Sequence, residues 1–297
     1  VSHLSKLAKG VEHYLRSFKS GVIVYTVDWK CFSKKDGSSI KSANAGLSDC
    51  AINGMYGLLD ESGKINQIED PREPRPVATA RYELYWAWSL QYHPHQMILL
   101  IDARDTYFQA EPFKNLVRSR KSSTGGVLHL FEENFESTNI QKSSFNRNWI
   151  TQAYGASTAE KIGKVPVICS GSTIGEQIAL ESYLRAMVAQ FDKTRCKSKG
   201  CDQGFHNALY YKKELEGLSG IDTIYTHTQG WSSVNNLGAM EPTKSVEDWE
   251  LLNTNKQIIN WDKSITPVVH QFDRFKPLAN MINSRKRALV KTIMEKV

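Results

Sequence analysis

The sequence predicts an α/β fold in which one domain has a mostly parallel central sheet with helices on both faces. The continuous apolar run at Met97–Ile101 (MILLI) is typical of a strand buried on both faces, and Gly126–Phe131 (GVLHLF) predicts another strand. The segment 76–92 has a helical spacing of aromatic and apolar residues and lies directly before the first run, so helix and strand alternate. With 297 residues, 40% of them hydrophobic, the chain can bury a large core.

The remaining elements follow from the same patterns. Residues 1–20 have apolar residues at helical spacing and predict an amphipathic N-terminal helix, outside a main domain over residues 21–282. Residues 33–75 are rich in turn formers and predict loops and short elements. Further strands are expected at 21–27, 165–169, 221–225 and 265–269, and further helices at 140–164, 175–191, from 202, and, rich in basic residues, at 283–297.

The net charge of +7 favours anionic partners, and phosphate-bearing small molecules satisfy it as well as nucleic acid does. The chain has no spacing typical of an RNA-recognition, helix-turn-helix or zinc-finger module, and its basic residues are scattered except near the C-terminus. We therefore do not expect nucleic acid as a partner.

No apolar run approaches the ~20 residues that cross a bilayer, and no signal-peptide pattern opens the sequence. A membrane anchor outside this sequence would place the protein in the lumen of the Golgi or secretory pathway, and its absence would place the protein in the cytoplasm. The five cysteines leave the redox compartment open. Cys196 with Cys201 and Cys31 with Cys50 are candidate pairs, and Cys169 is expected to be buried and free.

The Met97–Ile101 run stops abruptly at Asp102-Ala-Arg-Asp105. Strand ends of this kind form the ligand crevice of α/β sheets. Carboxylates there suit Mg²⁺ or Mn²⁺, which would hold the phosphates of a ligand. The residues alone are equally compatible with two aspartates that cap a loop, with Arg104 neutralising them.

Other polar groups also follow apolar runs and are expected to converge on the same crevice, namely Asp28, Ser170-Gly171 and His270. His270 could be a ligand beside two carboxylates, and Lys276 could hold a phosphate as a point charge. Taken singly, each could instead be structural, as a packed core histidine and a surface lysine. The chain has no P-loop, no GxGxxG after a first strand and no GxSxG elbow, which disfavours three common classes of α/β enzyme.

The stretch LLIDARDTYFQAEPF resembles the metal-binding Asp-x-Asp motif of GT-A glycosyltransferases, most closely the retaining glycogenin-like and lipopolysaccharide-galactosyltransferase group. Asp105 matches the second aspartate of that motif, and the first falls on Ala103, so this chain has Asp-x-x-Asp in place of Asp-x-Asp. HQFDRFKPL, from His270, is similar to the group's C-terminal His-x-x-Gly-x-x-Lys-Pro-Trp, with Asp273 and Leu278 at the Gly and Trp positions.

The resemblance implies a GT-A fold and a Mn²⁺ or Mg²⁺ ion held by Asp105, His270 and Asp102. Weaker matches in the family's order imply contacts with the nucleotide-sugar donor. These donor contacts are Thr26, Asp28, Arg81, Asp102, Ala103, Ser170, Gly171 and Lys276. Asp202 and Gln203 match the pair that lies at the reacting sugar, so they are the implied catalytic residues.

The activity implied is transfer of a sugar from a nucleotide diphosphate, a UDP-hexose or UDP-pentose, to a hydroxyl of a glycan or glycoprotein, with retention. Front-side attack and a covalent intermediate are both open, and inversion would need a base such as Glu132 or Glu133. The alternatives are a nucleotidyltransferase or sugar-nucleotide hydrolase, and a non-catalytic sugar-nucleotide or glycan-binding module. Trp231, Trp249 and Trp261 could stack on sugar rings or belong to the core.

Overall fold

The structure, a computed structural model, describes residues 21–23, 25, 27–41, 48–241 and 244–294. The predicted helix over residues 1–20 lies outside them. The chain divides into two compact units. The first unit comprises residues 1–80 and 283–297, and the second unit comprises residues 81–282. In the part of the chain that the structure describes, no helix is both long and apolar enough to cross a membrane.

The first unit contains short antiparallel strands where the sequence predicts loops and short elements. They are β1 (Asp28–Ser33), β2 (Ser39–Ile40), β3 (Ser48–Asn53), β4 (Tyr56–Leu59) and β5 (Ile65–Ile68). One sheet has the order β2-β1-β3, and β4 pairs with β5. The predicted strand over 21–27 is wrong for the described residues of that stretch, which lie before β1. The Cys31–Cys50 disulfide joins facing residues of β1 and β3, as the sequence suggests.

The central sheet of the second unit has four strands in the order β10-β8-β9-β6. These are β6 (Met97–Ile101), β8 (Gly126–Glu132), β9 (Ile168–Glu176) and β10 (Ile221–His227). Strands β8 and β10 are parallel, whereas β9 is antiparallel to both of its neighbours, β8 and β6. The α/β class is confirmed, but the expected mostly parallel sheet is a mixed one, because an apolar run reports burial and not strand direction.

The helices of the structure are α1 (Val77–Ser89), α2 (Ser144–Tyr154), α3 (Ala156–Lys161), α4 (Gln177–Thr194), α5 (Cys201–Tyr211) and α6 (Lys276–Met294). One face of the central sheet, with Leu128 and Leu130, packs against α1, α4 and α5 through residues such as Leu180 and Phe205. Apolar contacts of this kind contribute about 1.5–3 kcal/mol for each fully buried large side chain.

The other face of the central sheet is covered by a second small sheet and not by helices, contrary to the prediction. Its strands are β11 (Val234–Asn236), β12 (Val268–His270) and β7 (Thr106–Phe108), in the order β11-β12-β7. Val127 and Ile174 of the central sheet pack there against Val234 and Val268. The two sheets therefore share a core, and each contributes residues to the site described below.

Several predicted bounds shift by a few residues. The strand predicted at 165–169 is β9, which begins at Ile168 and continues to Glu176, so α4 begins two residues later than its predicted start. The strand predicted at 265–269 is β12, and His270 is its last residue instead of following it. The C-terminal helix begins at Lys276 and not at residue 283. The Cys196–Cys201 disulfide and the free, buried Cys169 agree with the sequence.

Candidate functional site

Strand register places Asp102 beside Gly171. Ile101, the last residue of β6, pairs with Ser172 of β9, and the Asp102 backbone N–H donates to the Gly171 carbonyl at 3.0 Å. Because β9 runs antiparallel to β6, the beginning of β9 meets the end of β6 at the same edge of the sheet. The turn that follows is closed by the Thr106 hydroxyl, which donates to the Asp102 carbonyl at 2.5 Å.

A second ladder places Asp105 beside His270. Thr106 of β7 pairs with His270 of β12, and the Gln271 backbone N–H donates to the Asp105 carbonyl at 2.8 Å. The His270 Nε2 atom lies 3.7 Å from Asp105 Oδ1, and both side chains are buried. The two residues that the motif resemblance pairs as metal ligands are therefore neighbours.

The tautomer of His270 follows from Asn236. The Asn236 Nδ2 group donates to the carbonyls of Phe131 and Glu132 at 3.2 Å, so its Oδ1 atom is the acceptor that faces His270 Nδ1 at 2.9 Å. The proton of the ring therefore lies on Nδ1, and Nε2 carries a lone pair. Burial lowers the pKa of His270, which favours the neutral ring. Nε2 has no hydrogen-bond partner among the described residues.

These atoms fit a divalent cation with two protein ligands. An imidazole oriented through its other nitrogen is the usual state of a metal-binding histidine. The 3.7 Å separation from Asp105 is ~0.7 Å longer than the ~3.0 Å between adjacent ligands at ~2.1 Å from an octahedral ion, so the two side chains would approach each other on binding one. No three His, Cys, Asp or Glu side chains form a metal-binding group in the described part of the chain, so phosphate oxygens or water would complete the shell.

Asp102 is engaged with Arg81 instead of with the His270 pair. The Arg81 guanidinium of α1 donates from Nη1 to Asp102 Oδ1 and from Nη2 to Asp202 Oδ2, the latter at 3.0 Å. Asp202 lies in the first turn of α5, where a helix N-terminus also favours negative charge. Arg81 thus joins an acid at the end of β6 to an acid on α5. The role of Asp102 as a metal ligand stays a prediction.

Burial raises the pKa of Asp202, and the charge of Arg81 opposes that rise. We expect Arg81→Met to raise the pKa of Asp202 further. A carboxyl whose pKa is higher in the folded than in the unfolded state loses stability as the pH rises between the two values. The free energy of unfolding of Arg81→Met, relative to wild type, should therefore fall as the pH rises above ~3.9, the pKa of an unfolded aspartate, in urea titrations. Arg81→Lys is the control that keeps the charge, and an identical pH dependence in wild type and Arg81→Met would contradict the coupling.

Gly171 lets His270 and Asp102 approach the same point. A Cβ atom on Gly171 would lie 2.7 Å from His270 Cε1 and 2.8 Å from Asp102 Oδ2, closer than real contacts allow. A small cavity adjoins this point, lined by Arg81, Asp102, Ser170 and Gly171 among others. The resemblance assigns these four residues to the donor, and the structure brings them together.

Gln203 has a structural contact that the sequence does not reveal. Its Oε1 atom accepts from the Ser170 backbone N–H at 2.7 Å, and its Nε2 group donates to the Ile168 carbonyl at 2.8 Å. Asn207, one turn later, makes two further bonds to the backbone of Ile168. Both ends of the Gln203 amide are thus occupied in joining α5 to the start of β9. In this state Gln203 positions Ser170.

Four further residues that the resemblance assigns to the donor stay predictions. Thr26 lies outside the described residues, and Asp28 belongs to the first unit, where its carboxylate accepts from Asn53 at 2.9 Å. Ala103 is exposed in the turn between β6 and β7, and Lys276 is exposed at the start of α6. Their contacts with a donor stay predictions.

Sequence reasoning missed Asn236, which fixes the ring of His270. Asn235 and Asn236 are two of the three residues of β11, a strand that the sequence does not predict, and both are buried. Buried amides in a strand require hydrogen-bond partners and therefore indicate an oriented polar network.

Comparisons of the chain with protein-family models, with curated proteins and with solved structures find no match.

Proposed function

We propose that this chain is a metal-dependent glycosyltransferase of GT-A type that moves a sugar from a UDP-sugar to a hydroxyl of a carbohydrate acceptor. The observation that carries the proposal is the neutral His270 with its unpartnered Nε2 lone pair facing Asp105. The resemblance predicts this pair from two motifs that are more than 160 residues apart in the chain. Arg81, Asp102 and Gly171 line a cavity of about 10 Å³ beside this pair, which has room for no more than one water molecule, so a donor would contact these residues from outside it.

In this proposal each residue has a defined task. Asp105 and His270 hold a Mn²⁺ or Mg²⁺ ion, which when bound neutralises the charge that develops on the departing diphosphate. Arg81 lines the cavity and holds Asp102 and Asp202 in place, and the charges of these two carboxylates already offset its own. Gly171 provides the space for close approach of the sugar.

Asp202 is the better supported of the two residues assigned to the reacting sugar. Its carboxylate accepts a hydrogen bond from Arg81, which lines the cavity, whereas the Gln203 amide is bound to the backbone of β9. An amide held in this way is not available to attack a sugar carbon. The proposal therefore gives Asp202 the contact with the sugar and gives Gln203 the task of positioning Ser170.

The test is UDP release from a panel of UDP-sugars with Mn²⁺, with EDTA, and with Mn²⁺ restored after EDTA. We expect release that requires the metal and returns with it, for one or a few donors. Release of UMP or of a sugar phosphate would instead favour a nucleotidyltransferase or hydrolase. Metal-dependent binding of a donor without turnover, in the presence of diverse acceptors, would favour a binding module.

A further inference from the structure

Two large aromatic side chains are exposed on loops at the edge of the sheet that carries the site. Phe135 follows β8 and is 47% exposed, and Trp231 follows β10 and is 59% exposed. Strands β8 and β10 are parallel to each other and run in the same direction as β6, which Asp102 follows. Phe135 and Trp231 therefore lie beyond the same sheet edge as the Asp102 carboxylate.

The loop that bears Trp231 is held firmly. The Trp231 backbone N–H donates to the Thr228 carbonyl at 3.1 Å, and Gly230 has a φ of +76°, a conformation that favours glycine. The Trp261 ring packs on Gly230 and donates from Nε1 to the Gln229 carbonyl at 2.9 Å. Trp261 thus belongs to the support of this loop. Trp231 is exposed although its backbone is fixed, so it is presented without a large ordering cost on binding.

The two aromatic loops are tied to each other. Asn134, directly before Phe135, donates from Nδ2 to Gln229 Oε1 at 3.0 Å, and both side chains are buried. The Asn134 Oδ1 atom accepts from the Ser137 backbone N–H at 2.8 Å, which closes the turn around Phe135. Phe135 and Trp231 are therefore displayed by one hydrogen-bonded unit.

A series of side-chain contacts leads from the loop of Phe135 to the candidate site. Glu133, two residues before Phe135, interacts with the Cys169 thiol, whose sulfur lies 3.7 Å from His270 Nδ1. Cys169 in turn lies two residues before Gly171 in β9. Glu133 follows the end of β8, and Gly171 lies near the start of the neighbouring strand β9. A ligand on Phe135 and Trp231 would therefore lie at the same end of the central strands as Gly171.

The chemistry of the surface matches a sugar ring better than a protein partner. The faces of aromatic rings are electron-rich and attract the polarised C–H groups of a pyranose. Glu132 and Glu133, beside Phe135, and Ser232, beside Trp231, offer groups for sugar hydroxyls. A protein partner would need a contiguous apolar patch of several hundred Å², whereas the chain neighbours of these two aromatics are mostly polar.

We propose that Phe135, Trp231 and Glu133 form the acceptor subsite and that its ligand is the pyranose ring of an oligosaccharide. That this sugar is the acceptor of a transfer rests on the proposed glycosyltransferase function. The two rings bind the faces of the sugar, and Glu133, one oxygen of which bonds the Cys169 thiol, offers its other oxygen to a sugar hydroxyl. Trp249 has no part in it, since its side chain is buried in the core of the small sheet.

The experiment measures two binding reactions of the same proteins. Oligosaccharide binding is followed on a glycan array and then by titration with the best array sugar, and donor binding is followed by calorimetry with UDP and Mn²⁺. The variants are Trp231→Ala and Phe135→Ala. The control is Tyr92→Ala, which removes a 38% exposed aromatic that precedes β6, at the opposite end of that strand from Asp102.

We expect Trp231→Ala and Phe135→Ala each to weaken oligosaccharide binding at least about tenfold, as a lost stacking contact does, with UDP binding unchanged. Tyr92→Ala should change neither. The subsite is overturned if no array sugar binds the wild type, if both variants bind as the wild type does, or if Trp231→Ala instead abolishes self-association of the chain. Sugar binding that depends on Trp231 in a protein that binds no UDP would support the sugar-binding surface and contradict the transferase.

Discussion

Asp105→Asn is expected to lower metal-dependent UDP release by about a hundredfold or more, with little change in stability. The substitution preserves the shape of the side chain but removes the negative charge that a divalent ion requires, and losses of this size are typical when one fixed electrostatic contact is removed from a reacting centre. Asp105 lies 3.7 Å from His270 Nε2, so the charge is removed at the proposed metal position. The measurement is kcat/KM for UDP release as a function of Mn²⁺ concentration.

Asp273→Asn is a matched control for this prediction. The same Arg104 Nη2 group donates to Asp105 and to Asp273, at 3.4 Å in each case, and Asp273 is exposed. Both variants therefore remove a carboxylate partner of Arg104, and only one removes a proposed metal ligand. We expect Asp273→Asn to retain nearly full activity. Equal losses in the two variants would mean that the Arg104 network, and not metal binding, explains the effect.

Gly171→Ala is expected to reduce turnover by about a hundredfold, because misplacement of reacting groups by ~1 Å has effects of this size. The new methyl group would lie 2.7 Å from His270 Cε1 and 2.8 Å from Asp102 Oδ2, and neither the buried ring nor the carboxylate that pairs with Arg81 can withdraw freely. We expect a weaker apparent affinity for Mn²⁺ together with the lower kcat. Steady-state kinetics over a Mn²⁺ series measures both.

Gly217→Ala provides the control for the added methyl group. No atom lies within 4 Å of the position that its Cβ would occupy, and the residue lies in an exposed turn. This variant should retain the kinetics of the wild type. Thermal unfolding of both variants separates loss of the site from loss of the fold, and a Gly171→Ala protein with unchanged kinetics would contradict the crowded geometry proposed for the site.

Burial along the chain was predictable, whereas strand direction was not. The run Met97–Ile101 predicts a strand because five consecutive apolar residues are typical of a strand that is buried in a sheet. Strand β9 contains the polar and glycine-rich sequence ICSGSTIGE, whose extension to Glu176 depends on its position between β6 and β8. Its antiparallel direction depends on the path of the chain and leaves no local pattern. The same holds for the small sheet that replaces helices on one face of the core.

The candidate site was predictable where a motif fixed the residue type and spacing. Asp105 and His270 meet as the resemblance implies, through the pairing of β7 with β12. The partners of Asp102 and Gln203 were not predictable, because each bonds to a residue from a distant part of the chain and no periodicity relates the two. The sequence also did not show which aromatic side chains are exposed. Among the tryptophans that could stack on a sugar, Trp231 is exposed and Trp249 is buried.

The close approach of His270 and Asp102 to Gly171 has a consequence for folding during synthesis. The acids, the arginine and the histidine around this glycine come from α1, from the turn after β6, from α5 and from β12, so the residues of the site range from Arg81 to His270. During synthesis the strands of the central sheet can pair once β10 has left the ribosome, but β12, which carries His270, is not yet present. Only when His270 has also emerged can the ring lie against Gly171 and Asp105. A truncated chain that ends before this histidine would retain the strands of the central sheet and lack the site.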